Sequence, residues 1–257
     1  MKPRKKIHSQ MGWSSPDRIV VRGHDLPNDL LGKIDLGGMA FLEIIGRRPT
    51  PGEAEVFNSL LVTLVEHGMT PQAIAARLVN LAAPEALQAA VAAGLCGVGS
   101  VFAGGSEQIA KVLQEALGDQ PPEADLSAIA AKIVDDYIVR KAVIPGIGHP
   151  VHKPVDPRTA VLFAIAERNG FRGRYVALLE AIQIEAERRL SRSLPINATG
   201  AIGAVLCELG FPWRICRGIA IISRAVGLVG HLAEEMRNPI AREIYERAEL
   251  EVFENKD

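Results

Sequence analysis

Two stretches in the last quarter of the 257-residue chain, 198–209 and 213–236, are apolar on nearly every helical face. A helix of that kind offers no polar side to water and is stable only when other elements surround it. The rest of the chain supplies such elements. Thr50-Pro51-Gly52-Glu53 reads as a capped start, with Thr50 as N-cap, Pro51 at the first helical position and Glu53 as capping-box partner. Val56, Leu60, Leu61, Leu64 and Val65 follow at helical spacing, and Gly68 signals the stop. Thr70-Pro71 repeats the start signal for 74–81. Pro84 opens an alanine-rich helix through Ala93, and Ser106 caps one over 107–117 that Gly118 ends. Helical patterns also cover 126–139, 160–167 behind the N-cap sequence Asp156-Pro157-Arg158, and 174–190. Only 20–28, entered through β-branched Ile19-Val20-Val21 and punctuated by Gly23 and Pro27, reads as a short strand or hairpin. The chain is therefore expected to be mostly α with a short N-terminal β segment.

Composition excludes several classes. Twenty-nine basic against thirty acidic residues leaves a formal charge of −1, without the basic excess that nucleic acid requires. Cys96, Cys207 and Cys216 lie in apolar stretches without CxxC spacing, which predicts buried free thiols in a reducing compartment rather than disulfides or a zinc site. The most apolar segment, 215–232, is interrupted by Arg217 and Arg224, and a membrane span needs about 20 apolar residues. The run Lys2-Pro3-Arg4-Lys5-Lys6 lacks a following apolar region and reads as a frayed tail, not a signal peptide. A soluble cytoplasmic protein is expected, with no nucleic acid, membrane or metal partner.

The chemistry-bearing residues cluster in a few places. Residues 145–157 hold four prolines and two glycines in thirteen positions, which fixes a stiff loop. His149 stands on it behind Gly146-Ile147-Gly148, either as a proton-exchanging imidazole or as a loop histidine held by hydrogen bonds. Nine residues on, Arg158 opens a helix and is able to clamp a carboxylate in bidentate fashion. Glu66-His67-Gly68 closes a helix, where His67 is a ligand for an anion or a C-capping group. Ser223-Arg224 interrupts an apolar helix, and a guanidinium there is costly unless paired or meeting an anion. His231 and Arg237, further along, read as surface or interface groups. Residues 95–107 are glycine-rich, as a backbone passing close to something would be. Asn197-Ala198-Thr199-Gly200 precedes the first all-apolar helix, where Asn197 or Thr199 is a candidate cap.

In this order, these stretches resemble the citrate synthase superfamily over about residues 43–231. Val143-Ile144-Pro145-Gly146-Ile147-Gly148-His149-Pro150-Val151, followed by Asp156-Pro157-Arg158, is similar to the family's coenzyme A and substrate loop. Ser223-Arg224-Ala225-Val226-Gly227-Leu228-Val229-Gly230-His231 resembles the helix that carries a citrate-binding arginine, and Glu66-His67-Gly68 the stretch whose histidine binds a substrate carboxylate. Gly99-Ser100-Val101-Phe102-Ala103-Gly104-Gly105 looks closest to citryl-CoA lyase and the lyase module of ATP-citrate lyase. The resemblance implies a two-lobed helical fold, with a basic tail at 1–12, a large lobe of 13–105 plus 200–257 and a small lobe of 106–199. It implies a homodimer or higher homo-oligomer acting on an acyl-CoA and a 2-oxo acid. Val143, Ile144, Gly146, Gly148 and Lys153 would hold coenzyme A. His67, Arg158, Arg224 and Asn197 would bind substrate, with Arg237 as a further arginine and His149 as a catalytic group.

Two departures redirect that expectation. Citrate synthases carry a histidine where this chain has Phe102, a residue also seen in the lyase branch. The family's catalytic aspartate falls on Thr199, with Asn197, Gly200 and Gly203 setting the register. A hydroxyl cannot serve as a carboxylate base at pH 7, and losing a positioned base costs about 10²- to 10⁴-fold in rate. The reading is a lyase that cleaves citryl-CoA, or a related 3-hydroxy-3-carboxy acyl-CoA, to acetyl-CoA and oxaloacetate. The alternatives are an acyltransferase that condenses acetyl-CoA with oxaloacetate, and a coenzyme A-binding homologue impaired in catalysis.

Overall fold

The computed structural model describes residues 7–101, 104–149 and 154–255, and the chain forms two compact units, 1–58 and 59–257. In the first, β1 (Gly12–Ser14), β2 (Ile19–Val21) and β3 (His24–Asp25) make an antiparallel sheet in that order. Trp13 pairs with Val20, and Val20 with Asp25. Arg22 and Gly23 turn between β2 and β3 at φ of 48° and 82°, the left-handed pair that matches strand twist in a two-residue hairpin. The expected hairpin is present, and β1, too short for a sequence period, adds a third strand. Asp35 caps α1 (Leu36–Ile45) by accepting from the Gly38 N–H at 2.6 Å. Phe41 of α1 meets Phe57 of α2 (Pro51–Val65) edge to face at 5.5 Å. The expected capping box opens α2: the Glu53 N–H donates to Thr50 Oγ1 at 3.3 Å and the Thr50 N–H to Glu53 Oε2 at 2.8 Å.

The second unit continues with α3 (Pro71–Ala82), α4 (Leu87–Cys96), α5 (Gly105–Leu117), α6 (Leu126–Val139), α7 (Pro157–Arg168) and α8 (Arg174–Leu190). Then come α9 (Ala198–Glu208), a 3₁₀ turn (Trp213–Ile215), α10 (Cys216–Glu235) and α11 (Ala241–Glu254). The helices sort into two packing groups. In one, α9 lies against α5, α7 and α8, and α6 covers α8; in the other, α10 packs on α3 and α4, with α11 against α3. Of the eleven residues of α9 only Thr199 and Glu208 escape burial, as a helix apolar all round requires. The helices of the expected small lobe, α5 to α8, thus share a group with α9, which the sequence reading gave to the large lobe.

Several local expectations are corrected. The helix expected from Pro84 begins at Leu87, because 83–86 form a turn in which the Ala86 N–H donates to Ala83 O. Ser106 does not cap α5: Gly104 does, without a side chain, and Ser106 is buried in the first turn. Helix α2 stops at Val65, before Gly68. Cys96 is exposed, whereas Cys207 and Cys216 are buried, where desolvation pushes both thiols up, Cys216 to about 12. The segment Trp213–Glu235 does have the length and composition of a membrane span. Packing on α3, α4 and α5 buries residues such as Ile219, Leu228 and Leu232, while Ile221, Val226 and Val229 stay exposed.

The loop before α7 and the start of α9 are joined backbone to backbone. Ile147 and Ile196 form an antiparallel bridge. The Gly148 N–H donates to Pro195 O at 2.7 Å and the Asn197 N–H to Gly146 O at 3.0 Å. Gly146 takes a φ of +78°, and a Cβ on it would lie 2.7 Å from Gly200 Cα; one on Gly200 would lie 2.9 Å from Gly146 Cα. Gly200→Ala is therefore expected to destabilise the protein by about 1–3 kcal/mol through overpacking. On α10, Gly230 has no neighbour where its Cβ would go, so Gly230→Ala should stabilise by about 0.5–1 kcal/mol through helix propensity. Urea unfolding of the two variants reads these opposite signs.

Candidate active site

A cavity of about 610 Å³ in the second unit collects the residues named from sequence. Its wall includes His67, His149, Arg158, Asn197, Thr199 and Arg224, brought in from five separate places along the chain. Thr70, Pro71 and Gln72 at the start of α3, together with Val98 and Val101 after α4, complete much of the remainder. The first turns of α3, α7 and α9 all contribute to this wall, and unpaired N–H groups at helix starts carry partial positive charge. Among the described lining residues there are two arginines and two histidines and no carboxylate. The cavity is built for an anion.

Each group is held by local chemistry. Asn197 is the N-cap of α9: its Oδ1 accepts from the Gly200 N–H at 3.0 Å, while its Nδ2 donates to Gly148 O at 2.7 Å. Thr199 is not the cap; its hydroxyl donates to Asn197 Oδ1 at 2.7 Å, which leaves its lone pairs as acceptors. Opposite it, a Cβ on Gly105 would come 2.5 Å from Thr199 Oγ1, so the glycine makes room for this side chain. His67 follows the turn that ends α2. There Glu66 Oε1 accepts from the N–H groups of His67 and Gly68 at 2.8 and 2.5 Å, which replaces the expected C-cap by His67 itself.

Asp156 carries more than its N-cap sequence suggested. It is fully buried, and its Oδ2 accepts from the Ala198 N–H at 3.0 Å and from Arg158 Nη2 at 2.8 Å. Its Oδ1 accepts from the N–H and Nε of Arg158 at 3.1 and 3.0 Å. One carboxylate thus ties the start of α7 to the start of α9. The bidentate clamp expected of Arg158 closes first on Asp156; its Nη1 and one Nη2 proton remain for a ligand. Arg224 is half-buried on α10, and its Nη1, itself buried, meets no hydrogen-bond partner among the described residues. Burial pushes its pKa down and the charge of Glu66 pulls it up, with the net lowered. Thr70 Oγ1 is a second buried polar atom in this wall without a partner among the described residues. Nothing in the sequence singled out Thr70 beyond its N-cap position.

Three of the residues expected to hold coenzyme A, Val143, Ile144 and Gly148, line hollows beside this cavity. Val143, Ile144 and Ile147 line a neighbouring hollow of about 310 Å³, and Val143, Gly148 and His149 line another of about 320 Å³. His149 therefore borders the main cavity and an adjoining one. Gly146 is buried against Gly200 and lines none of the three. Phe102 and Lys153 lie outside the described residues. Arg237 sits exposed in the turn after α10 and is not part of the cavity wall, whereas His231, expected at the surface or an interface, is buried inside the chain. Its neighbours are Arg77 of α3 and Glu66 in the turn after α2, which the pattern of α10 does not show. Among the described residues no three His, Cys, Asp or Glu side chains gather as a metal site would require.

Residues 37–246 match the citrate synthase C-terminal domain family. The chain is similar to citryl-CoA lyase of Hydrogenobacter thermophilus, with 32% identity and a TM-score of 0.82 over 91% of this chain and 88% of that one. It shares its fold with ATP citrate lyase of Methanothrix soehngenii, solved in complex with citrate and coenzyme A. Here identity is 21% and the TM-score 0.75, covering 92% of this chain and 40% of that one. Among curated relatives, the citrate synthase of Helicobacter pylori is 28% identical over 208 residues, 75% of this chain and 46% of that protein. The chain spans about half the length of the curated relatives it matches.

Asp156 gives the site a measurable signature. Burial alone would raise its pKa; the bonds from Arg158 and the Ala198 N–H outweigh it and hold the carboxyl at about 2. A group so depressed stabilises the fold above its unfolded value near ~4 and loses that contribution as pH falls towards 2. Asp156→Asn is expected to cost about 2 kcal/mol at pH 7. Denaturant unfolding across a pH series should show wild type and variant converging between pH ~4 and ~2.

Proposed function

Because the chain belongs to the citrate synthase family, we propose that it is a carbon–carbon lyase. Its substrate is citryl-CoA or a closely related 3-hydroxy-3-carboxy acyl-CoA, and its products are acetyl-CoA and a 2-oxo acid. The observation that carries this reading is the cavity wall: two arginines and two histidines face a space without a carboxylate, with Thr199 at its edge.

Retro-aldol cleavage uses these groups directly. His149 takes the proton of the tertiary hydroxyl, and the oxygen electron pair becomes the carbonyl of the 2-oxo acid. The carbon–carbon bond breaks towards the thioester, which leaves as its enolate. Arg158, Arg224 and His67 hold the carboxylates, and Asn197 braces the loop that presents His149. The enolate then takes up a proton from water or from Thr199. Condensation requires the reverse first step, removal of a proton from a weakly acidic methyl group, which is the step that needs a carboxylate base. Coenzyme A lies along Val143, Ile144 and Gly148 with its thioester at His149, where the adjoining hollow meets the main cavity. A cytoplasmic homodimer with lobes of 13–105 plus 200–257 and 106–199 belongs to the same proposal.

Purified protein is expected to release oxaloacetate from citryl-CoA in an assay coupled to malate dehydrogenase. Coenzyme A binding without oxaloacetate release would overturn the lyase and favour a homologue that retains the pocket alone. Arg224→Gln should lower kcat/KM by roughly 10²-fold, since a cation aimed at developing charge is lost. Thr199→Asp should raise thiol release from acetyl-CoA and oxaloacetate by about 10²- to 10⁴-fold, as a base is restored. A wild-type condensation rate that this variant leaves unimproved would favour the acyltransferase.

A further inference from the structure

Beneath the cavity lies a group of charges that the proposed chemistry does not touch. Arg77 of α3 is fully buried, a costly position for a cation that cannot lose its proton. Its donors are met from α10. Nη1 donates to Glu235 Oε2 at 2.5 Å, Nη2 bonds Glu234, and both Nε and Nη2 point at His231 Nδ1, at 3.2 and 2.9 Å. Since the guanidinium only donates, His231 Nδ1 accepts, and the ring proton sits on Nε2. That nitrogen lies 3.0 Å from Glu66 Oε2, a close contact outside hydrogen-bond geometry. The other oxygen of Glu66 is the one that takes the N–H groups of His67 and Gly68.

We infer that His231, set by Arg77, is a positioning residue that holds His67 against the cavity by fixing the Glu66 carboxylate. Glu66 is nearly half exposed, at 45% of its side chain, and is held by the two N–H groups at its Oε1 and by the ring beside its Oε2. The ring side of that hold fixes the carboxylate that caps the 66–68 turn. Helix α10 comes close enough to impose this: a Cβ on Gly227 would overlap Val65 O at the end of α2. At its far end the chain of groups reaches α11, because Glu235 Oε1 accepts from the N–H groups of Ile240 and Ala241 at 2.9 and 2.8 Å. The seat of α11 and the 66–68 turn are therefore linked by one run of polar groups, buried at Arg77, His231 and Glu235. The inference rests on the carboxylate-binding role proposed for His67, and its test separates the two.

The full-length chain is compared with His231→Leu, His231→Gln and, as a control on the same helix, Leu228→Ala. Calorimetry measures citrate and coenzyme A binding, and histidine-selective NMR of the ligand-free protein reads the His67 ring signals. His231→Leu is expected to weaken citrate binding roughly 10- to 100-fold, the scale on which small misplacements act, and to leave coenzyme A affinity unchanged. It should also shift the His67 signals. His231→Gln, which keeps an acceptor and a donor, should recover most of both. Leu228→Ala, which empties a fully buried site, should lower Tm without moving the His67 signals. Citrate affinity unchanged in His231→Leu, or citrate and coenzyme A affinity falling together, would overturn the inference. If wild type binds no citrate, the ring signals decide. Movement in His231→Leu but not in Leu228→Ala supports the positioning role and counts against the carboxylate reading; no movement overturns the role.

Discussion

The contact between Gly146 and Gly200 sets the rest of the site. Two backbones approach so closely there that neither position tolerates a Cβ, and the two main-chain hydrogen bonds of the Ile147–Ile196 bridge bind the 144–149 loop to 195–197. This seam places His149 on the loop side and Asn197 and Thr199 on the helix side of one cavity. A loop stiffened by proline loses little entropy in being pinned, so the seam holds with few bonds. The burial of α9 follows from the same contact, because α9 can sit against α5, α7 and α8 only where small residues let it in.

Electrostatics then decides what the cavity accepts. Carboxylates lie nearby, but both are committed: buried Asp156 to Arg158 and the Ala198 N–H, half-exposed Glu66 to its own turn with His231 beside it. What remains facing the space is cationic or neutral, and the starts of three helices add their partial charges. An arginine nitrogen buried without a partner, as on Arg224, is unfavourable in the empty protein and favourable once an anion arrives. Binding energy is thus stored in the site. At Thr199 the cavity wall carries a hydroxyl already engaged with Asn197. In the proposed cleavage the weight of the chemistry then falls on charge stabilisation and on His149.

Helices with strong start and stop chemistry were readable from the chain alone. The capping box at Thr50 and Glu53, the Asp156-Pro157 start of α7 and the amphipathic run of α8 all stand where local rules put them. Failures came where a distant group overrode the local one. Ser106 had the right residue type for a cap, yet it is buried in the first turn of α5, where α9 packs. Glu66, next to the residue expected to cap α2, took the cap instead. At α8 the N-cap is Gly173, and the work of a cap is done by Glu208 of α9, which accepts from the N–H groups of Gly173, Tyr175 and Val176.

Motif residues reported their own identity but not their neighbours. His67, His149, Arg158 and Arg224 could be named as candidates from residue type and setting, Asn197 and Thr199 as caps whose site roles only the family resemblance implied, and the cavity joins all six. Arg237 was named through the resemblance and lies elsewhere. The difference between them is long-range packing, which no local period encodes. Residue pattern determined the helices, the stiff loop and the chemical types available. Only the fold decided that Asp156 would face the α9 start, that Arg77 would be buried beneath His231, and which polar atoms would be left without partners. Those outcomes depend on which helices lie side by side, since burial and pairing are properties of a place in space and not of a position along a chain.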